Sequence, residues 1–269
     1  MEQLKDARDS VWVVIPAHDE ANVVGDQVRA LYAHLALTAL PLGGVIVVDN
    51  DSTDGTAETA RAAGAHVGFE PRRGYGAACL AGVKAAPAGA IVLLMDADGS
   101  DDLDGAARVA ALVLRGEADL AMGSRVRGTL EPGALTLQQR MGNAVVAAGM
   151  HLLYGMHVTD VGPTRAIRRE RLLALHMSEM TYGWSAEMLM KSARARYRFV
   201  EMPVDYHARA GGQSKVSGTV SGSIRAGWSM LVTLLKYVYW LPEEKVAYNR
   251  APGSGERAAA HPVEREGAV

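Results

Sequence analysis

The sequence holds a single cysteine, Cys79, in 269 residues. That excludes an internal disulfide and a cysteine metal cage, and it fits a reducing compartment. An excess of one charge is also missing. The net charge is −2, which argues against general nucleic-acid binding. No uninterrupted apolar run reaches the ~20 residues that a spanning helix needs. Met1–Ser10 is polar and charged and lacks the apolar core of a signal peptide. These absences predict a cytoplasmic protein, leaving open peripheral contact with the inner face of a membrane. No internal repeat is visible, and His18, His151, His157 and His207 do not stand at metal-ligand spacing. What remains is a globular composition, 49% hydrophobic, long enough for one sizeable core with modest additions.

Short apolar runs alternate with helical patterns. Val11–Pro16 reads as a buried strand, and a helix to about Leu37 follows, with Val24, Val28, Leu31 and Leu35 at helical spacing. Gly44–Asp49 reads as a second strand. It runs into Asn50–Thr56, where Asp54 is the expected helix N-cap and Glu58 lies in the first turn. Strands at 65–69, 91–95 and 119–122 come next, with helices between them. This alternation predicts a mostly parallel, doubly wound α/β sheet. Beyond it, the pattern predicts a helix over 137–154, a loop and strand at 159–167, a helix from 182 to about 196, and an edge strand at 199–204 that carries a proline.

The chemistry collects where strands end, as ligands do in open α/β sheets. The run Ile91–Met95 ends in Asp96-Ala97-Asp98-Gly99. Two carboxylates one residue apart share a strand face, and with a substrate diphosphate they would hold a hard divalent cation through oxygen. The ordinary alternative is an acidic loop with no ion. Arg72-Arg73-Gly74-Tyr75-Gly76 opens a helix. Glycines there allow close backbone approach, and a helix N-terminus favours anions; a tight turn without a ligand is the other reading. Asp49 and Arg125 also stand at strand ends. Acid for a metal and base for phosphate on one sheet edge suit a nucleotide diphosphate bridged by an ion.

The segments IPAHDE (15–20), VVDNDSTDGT (47–56), RRGYGAA (72–78), LMDADGS (94–100), GSR (123–125), TDVGPTRAIRRE (159–170), TYGWSAEM (181–188), MPVDY (202–206) and RAGGQSKVSGT (209–219) occur in one order. Together the chain resembles a family 2 glycosyltransferase of the A-type fold, in the subgroup of dolichyl- and polyprenyl-phosphate sugar synthases. Two positions depart from the family pattern: Ser100 stands where a glutamine is frequent, and Arg72 where an asparagine is common. The resemblance implies a donor-binding set of Pro16, Ala17, Glu20, Asp49, Asp51, Arg72, Gly76, Asp96 and Ala97. It implies Mg²⁺ or Mn²⁺ on Asp98, with Asp96 assisting, to neutralise charge on the departing diphosphate. Arg125, Arg140, Arg209 and Lys215 would hold phosphates, Arg being suited by its fork. Asp160 and Glu187 are the remaining carboxylates in matched segments. One is a general base if the acceptor is an alcohol; if the acceptor is a phosphate monoester, they orient loops or the sugar.

The implied activity is transfer of a hexose, with inversion, from a UDP- or GDP-linked donor to a polyprenyl or dolichyl phosphate. A soluble acceptor, such as a phosphorylated small acid or a natural product, is the alternative. A nucleotide-sugar-binding protein and a nucleotidyltransferase are the readings from other classes. The expected organisation is a flexible N-terminus (1–10), a transferase domain (11–219), an apolar helix (220–241) and a disordered tail (242–269). The helix carries Arg225, Trp228, Lys236, Tyr237, Tyr239 and Trp240, a composition suited to a membrane interface or to packing and homodimer contact.

Overall fold

The computed structural model describes residues 9–208 and 232–242. Seven strands form one sheet: β1 (Val11–Ala17), β2 (Leu42–Asp49), β3 (His66–Phe69), β4 (Ile91–Leu94), β5 (Leu120–Ser124), β6 (Arg165–Arg168) and β7 (Phe199–Pro203), in the order β3-β2-β1-β4-β6-β5-β7. β1 pairs parallel with β2 and β4, and β5 with β7, whereas β6 is antiparallel to both of its neighbours. Six strands therefore point one way. β4 lies in the middle, and β7, which holds Pro203, lies at the edge where a missing N–H is tolerated.

β1, β4 and the second half of β2 are buried on both faces, which is why they read as continuous apolar runs. Val11, Val13, Ile15, Ile91 and Leu93 pack against α1 (Val24–Leu35) and α4 (Leu103–Leu114). Val14, Ile46, Val92 and Leu94 face the other core, with α3 (Tyr75–Ala85), α5 (Leu137–Tyr154) and α7 (Trp184–Arg194). The short helices α2 (Thr56–Ala62) and α6 (Arg169–Leu173) complete the set.

α5 has the bounds predicted, because both its ends are closed locally. Thr136 and Gln139 form a reciprocal capping box, and Gly155 ends the helix at φ 64°. Asp54 differs from expectation. Gly55 occupies the N-cap of α2 without a side-chain cap. The Asp54 carboxylate instead accepts from Thr56 N at 3.1 Å, Thr56 Oγ1 at 2.5 Å and Ala21 N at 3.0 Å, tying the β2–α2 turn to the start of α1. Burial opposes its charge, but these bonds hold its carboxyl below the usual range.

The antiparallel direction of β6 positions the site. A parallel strand would leave its carboxyl end at the ligand-binding edge. β6 instead begins there, so the preceding residues 160–164 are delivered beside the acidic end of β4.

Candidate active site

The first wall of the site is the carboxyl ends of β1 and β2. Ala17 and Asp49 are buried there, and Pro16 and Glu20 are half-buried. The loops beyond these strands are stitched together: Asp19 N donates to Ser52 Oγ at 3.0 Å, Thr53 N to Asp19 Oδ1 at 2.8 Å, and Glu20 N to Thr56 Oγ1 at 2.8 Å. Asp49 Oδ1 accepts from Ser52 N at 3.0 Å. Asp51, in a left-handed conformation at φ 63°, pairs with Arg73 Nε at 3.1 Å. Arg73 also reaches the His18 ring.

The Arg72–Gly76 turn is clasped by Asn50, a residue inside a matched segment to which the sequence reading gave no role. Its amide donates to the carbonyls of Glu70 (2.8 Å) and Arg72 (2.9 Å) and accepts from Gly74 N (2.8 Å). Arg72 itself is exposed. The glycines permit close approach, but to the protein's own backbone. A Cβ on Gly76 would lie 2.3 Å from the Glu179 carbonyl oxygen, and one on Gly74, at φ 148°, 2.2 Å from that of Met180. Ala77 N donates to the Met180 carbonyl at 3.0 Å. The segment 179–181 thus covers the start of α3.

Beyond β4 the chain turns at Gly99, φ 72°. Ser100 donates from both its N (3.1 Å) and its Oγ (2.5 Å) to Asp98 Oδ1, so the departure at position 100 fixes the Asp98 carboxylate from behind. A third carboxylate, Asp101, is buried beside the expected pair. It accepts from Asp96 N at 2.9 Å and Thr164 Oγ1 at 2.8 Å. Asp96 is raised above the ordinary carboxylate range by burial, then by the charges of Asp101 and Asp98. Asp101 is raised too, chiefly by burial. Among the described residues no three His, Cys, Asp or Glu side chains converge as a metal cage. The donor set still suits a hard divalent ion, which takes oxygen ligands and crowded negative charge. Ala97 is buried between the two aspartates.

The opposite wall is an ion pair. Arg125, just past β5, donates from Nε to Asp160 Oδ2 (2.7 Å) and from Nη2 to Asp160 Oδ1 (2.8 Å), and its backbone N adds a third bond at 3.0 Å. Asp160 also accepts from Asn143 Nδ2 (2.5 Å) and Val161 N (2.8 Å). Burial opposes the Arg125 charge, but Asp160 outweighs it and keeps the guanidinium protonated. Arg125 stacks over Tyr206, 4.9 Å from the ring centroid. Tyr206 N binds Thr129 O, and His207 N binds Ser100 O, which lays this tyrosine beside the acidic loop. Burial and the charges of Asp96, Asp101 and Asp98 push its hydroxyl up to about 12.

Glu187 is fully buried in α7. It pairs with Lys191 Nζ at 2.8 Å and accepts from Ser178 N, Ser178 Oγ and Glu179 N, the last at 2.7 Å. Through these bonds it shapes the loop that covers Gly74 and Gly76. Arg140 is exposed on α5, one turn before Asn143 and so on a neighbouring part of the helix surface. Arg209 and Lys215 lie outside the described residues, as do Arg225 and Trp228. Asp101, Tyr206, Thr164 and Asn143 are the residues that sequence reasoning missed. Tyr206 and Thr164 stand inside matched segments, so the segments marked them without assigning a role.

The chain matches the family described as Glycosyl transferase family 2 over residues 12–175. An uncharacterized glycosyltransferase of Mycobacterium tuberculosis is 41% identical over 223 residues, covering 82% of this chain and 95% of that one. An undecaprenyl-phosphate mannosyltransferase of Micrococcus luteus is 33% identical over 200 residues, 68% of this chain and 80% of the relative. Among solved structures, glucosyl-3-phosphoglycerate synthase of Mycobacterium tuberculosis, in complex with Mn²⁺, UDP-glucose and phosphoglyceric acid, superposes with a TM-score of 0.66, covering 87% of this chain and 81% of that one. At 21% identity this likeness speaks to the fold. The chain belongs to glycosyl transferase family 2, and it is a glycosyltransferase with the mostly parallel α/β fold of that class.

Proposed function

We propose that the protein transfers a hexose, with inversion, from a UDP- or GDP-linked donor to a polyprenyl or dolichyl phosphate. The observation that carries the choice of acceptor is the state of the two candidate bases. Asp160 is occupied by Arg125, Asn143 and Val161, and Glu187 by Lys191, Ser178 and Glu179. A phosphate monoester is anionic at pH 7 and attacks without a strong base, whereas a hydroxyl needs one. The Micrococcus luteus relative, named for undecaprenyl phosphate, supports the same choice.

In this reading Pro16, Ala17, Glu20, Asp49 and Asp51 take the nucleoside, and Arg72 frames its far side, with Gly76 seating that turn against residues 179–180. Asp98, with Asp96, would hold Mg²⁺ or Mn²⁺, which supplies positive charge against the diphosphate leaving group. Arg125 offers its fixed charge to the same phosphates. Arg140, Arg209 and Lys215 are assigned to the acceptor phosphate.

Among the described residues no helix is long and apolar enough to cross a membrane. Peripheral contact is proposed instead through α5, which exposes Leu137, Met141, Val145 and Leu152. The described part of the last apolar segment is divided between core and surface. Leu234 and Tyr237 are core, Lys236 pairs with Glu179 at 2.6 Å, and the Trp240 carbonyl accepts from Arg194, leaving Val232, Leu235 and Tyr239 outside. A homodimer through the same faces is the competing use of this surface.

The second reading, a soluble phosphorylated acid as acceptor, draws on the glucosyl-3-phosphoglycerate synthase likeness. Turnover of UDP- and GDP-hexoses with Mn²⁺, offered a short polyprenyl phosphate or 3-phosphoglycerate, separates the two. Product from the lipid phosphate alone is expected; product from phosphoglycerate alone would replace the proposal with the second reading.

A further inference from the structure

Arg165 is a fully buried cation placed directly behind the acidic loop. It opens β6, and its Cα pairs with that of Leu94, two residues before Asp96. Ala166 belongs to the core on the α1–α4 face. Side chains alternate along a strand, so Arg165 points to the opposite face, toward α3 and α7. There Nη1 donates to Ser185 Oγ at 2.7 Å, and Nη2 donates to the carbonyls of Gly162 and Val161. Among the described residues its hydrogen-bond acceptors are all neutral, and Nε has none. An unpaired buried guanidinium is costly. The carboxylate that acts on it through space is Asp96, two residues beyond its strand partner Leu94, and its own field is felt there in turn.

A fixed positive charge at that place acts oppositely on two kinds of ligand. A free divalent cation approaching Asp96 and Asp98 is repelled by it. A metal–nucleotide diphosphate, which carries net negative charge, is attracted. We propose that Arg165 is a positioning residue, an internal counter-cation that makes the acidic loop take its metal together with a nucleotide diphosphate rather than alone. This rests on the metal assignment above. It adds an order to the binding and assigns a role to a residue that the donor and phosphate sets leave out. Arg165 also anchors Val161 and Gly162, so the loop that presents Asp160 to Arg125 hangs from the same guanidinium.

The test is calorimetry on the full chain at pH 8.5, above the raised range of Asp96 and Asp101. Two titrants are used: Mn²⁺ alone, and UDP or GDP in saturating Mn²⁺. Arg165→Met should tighten Mn²⁺ binding about threefold or more and weaken nucleotide binding by a similar factor, as removal of one charge in a partly screened interior requires. Arg165→Gln, which keeps a donor for the Gly162 carbonyl, should shift both in the same directions and serves if the methionine variant does not fold. Arg165→Lys keeps the charge and should retain wild-type Mn²⁺ affinity, with turnover lowered by a looser 161–162 loop. Weaker binding of both titrants in the neutral variants would mean that Arg165 only supports the fold, and the inference falls. A lysine variant that shifts as the neutral ones do would overturn it equally. Wild-type protein that binds no Mn²⁺ with nucleotide present would overturn the metal assignment itself, so the two failures are told apart by the control.

Discussion

Arg125 and Asp160 meet through two parallel hydrogen bonds of 2.7 and 2.8 Å, with both side chains buried. This pair joins the end of β5 to the loop before β6, which is delivered beside the acidic end of β4. Breaking a buried pair from one side leaves a charge without its partner. Asp160→Asn should therefore destabilise the protein by about 3–5 kcal/mol, read as a fall in the urea midpoint. A change under about 1 kcal/mol, the range of a surface pair, would show that the pair is dispensable to the fold.

Asp98→Ala should leave the melting temperature near wild type and remove the Mn²⁺-dependent part of nucleotide binding. Ser100 would lose the acceptor for its N and Oγ, but both can turn to water in an opened site. Calorimetry of UDP and GDP with Mn²⁺ and with EDTA makes the comparison. An undiminished Mn²⁺ effect in the variant would move the metal assignment away from Asp98.

Glu187 allows a test by pH. Burial opposes its charge, yet bonds from Lys191, Glu179 N and Ser178 N hold its carboxyl below the usual carboxylate range. A depressed carboxylate contributes stability in full above its unfolded pKa and loses it as pH falls through the folded one. Wild-type stability should thus decline below about pH 4.5, and Glu187→Gln, though less stable at neutral pH, should show a flatter decline. The acidic limb of the pH–rate profile in the variant should remain where it is in wild type. Its disappearance would identify Glu187 as the base and favour an alcohol acceptor.

Gly76→Ala should cost about 1–3 kcal/mol by overpacking, because the added Cβ meets a backbone oxygen at 2.3 Å rather than a movable side chain. Gly116→Ala offers a contrast: nothing lies within 4 Å, and the cost there comes from φ 70° alone. Differential scanning calorimetry of both variants measures the two effects. A Gly76→Ala protein with the wild-type melting temperature would show that residues 179–180 yield.

The strands were legible because each core strand is buried on two faces and reads as an unbroken apolar run, Ile91–Leu94 most plainly. The direction of β6 was not, since a short apolar run carries no sign of its orientation. Asp96, Asp98 and Arg125 were visible from their place at strand ends. Asp160 and Glu187 were visible only as acids in matched segments. Whether an acid is available to a substrate depends on partners distant in sequence, here Arg125, Asn143, Ser178 and Lys191. Tyr206 and Arg165 escaped for the same reason: one reaches the acidic loop through backbone pairing with residues 100–101 and 129–130, the other through the register of β4 against β6. The Arg72–Gly76 turn carried the right signal, close approach, without saying to what.

The contact between α3 and residues 179–180 divides its demands unequally. Gly74 and Gly76 meet main-chain carbonyls, which every residue possesses, so nothing in this contact dictates the side chains at Glu179 and Met180. One surface is held to two glycines, while the side chains of the segment facing it answer to other partners, Glu179 to Lys236. A protein built this way can change the covering loop, and with it whatever that loop touches, without rebuilding the helix beneath.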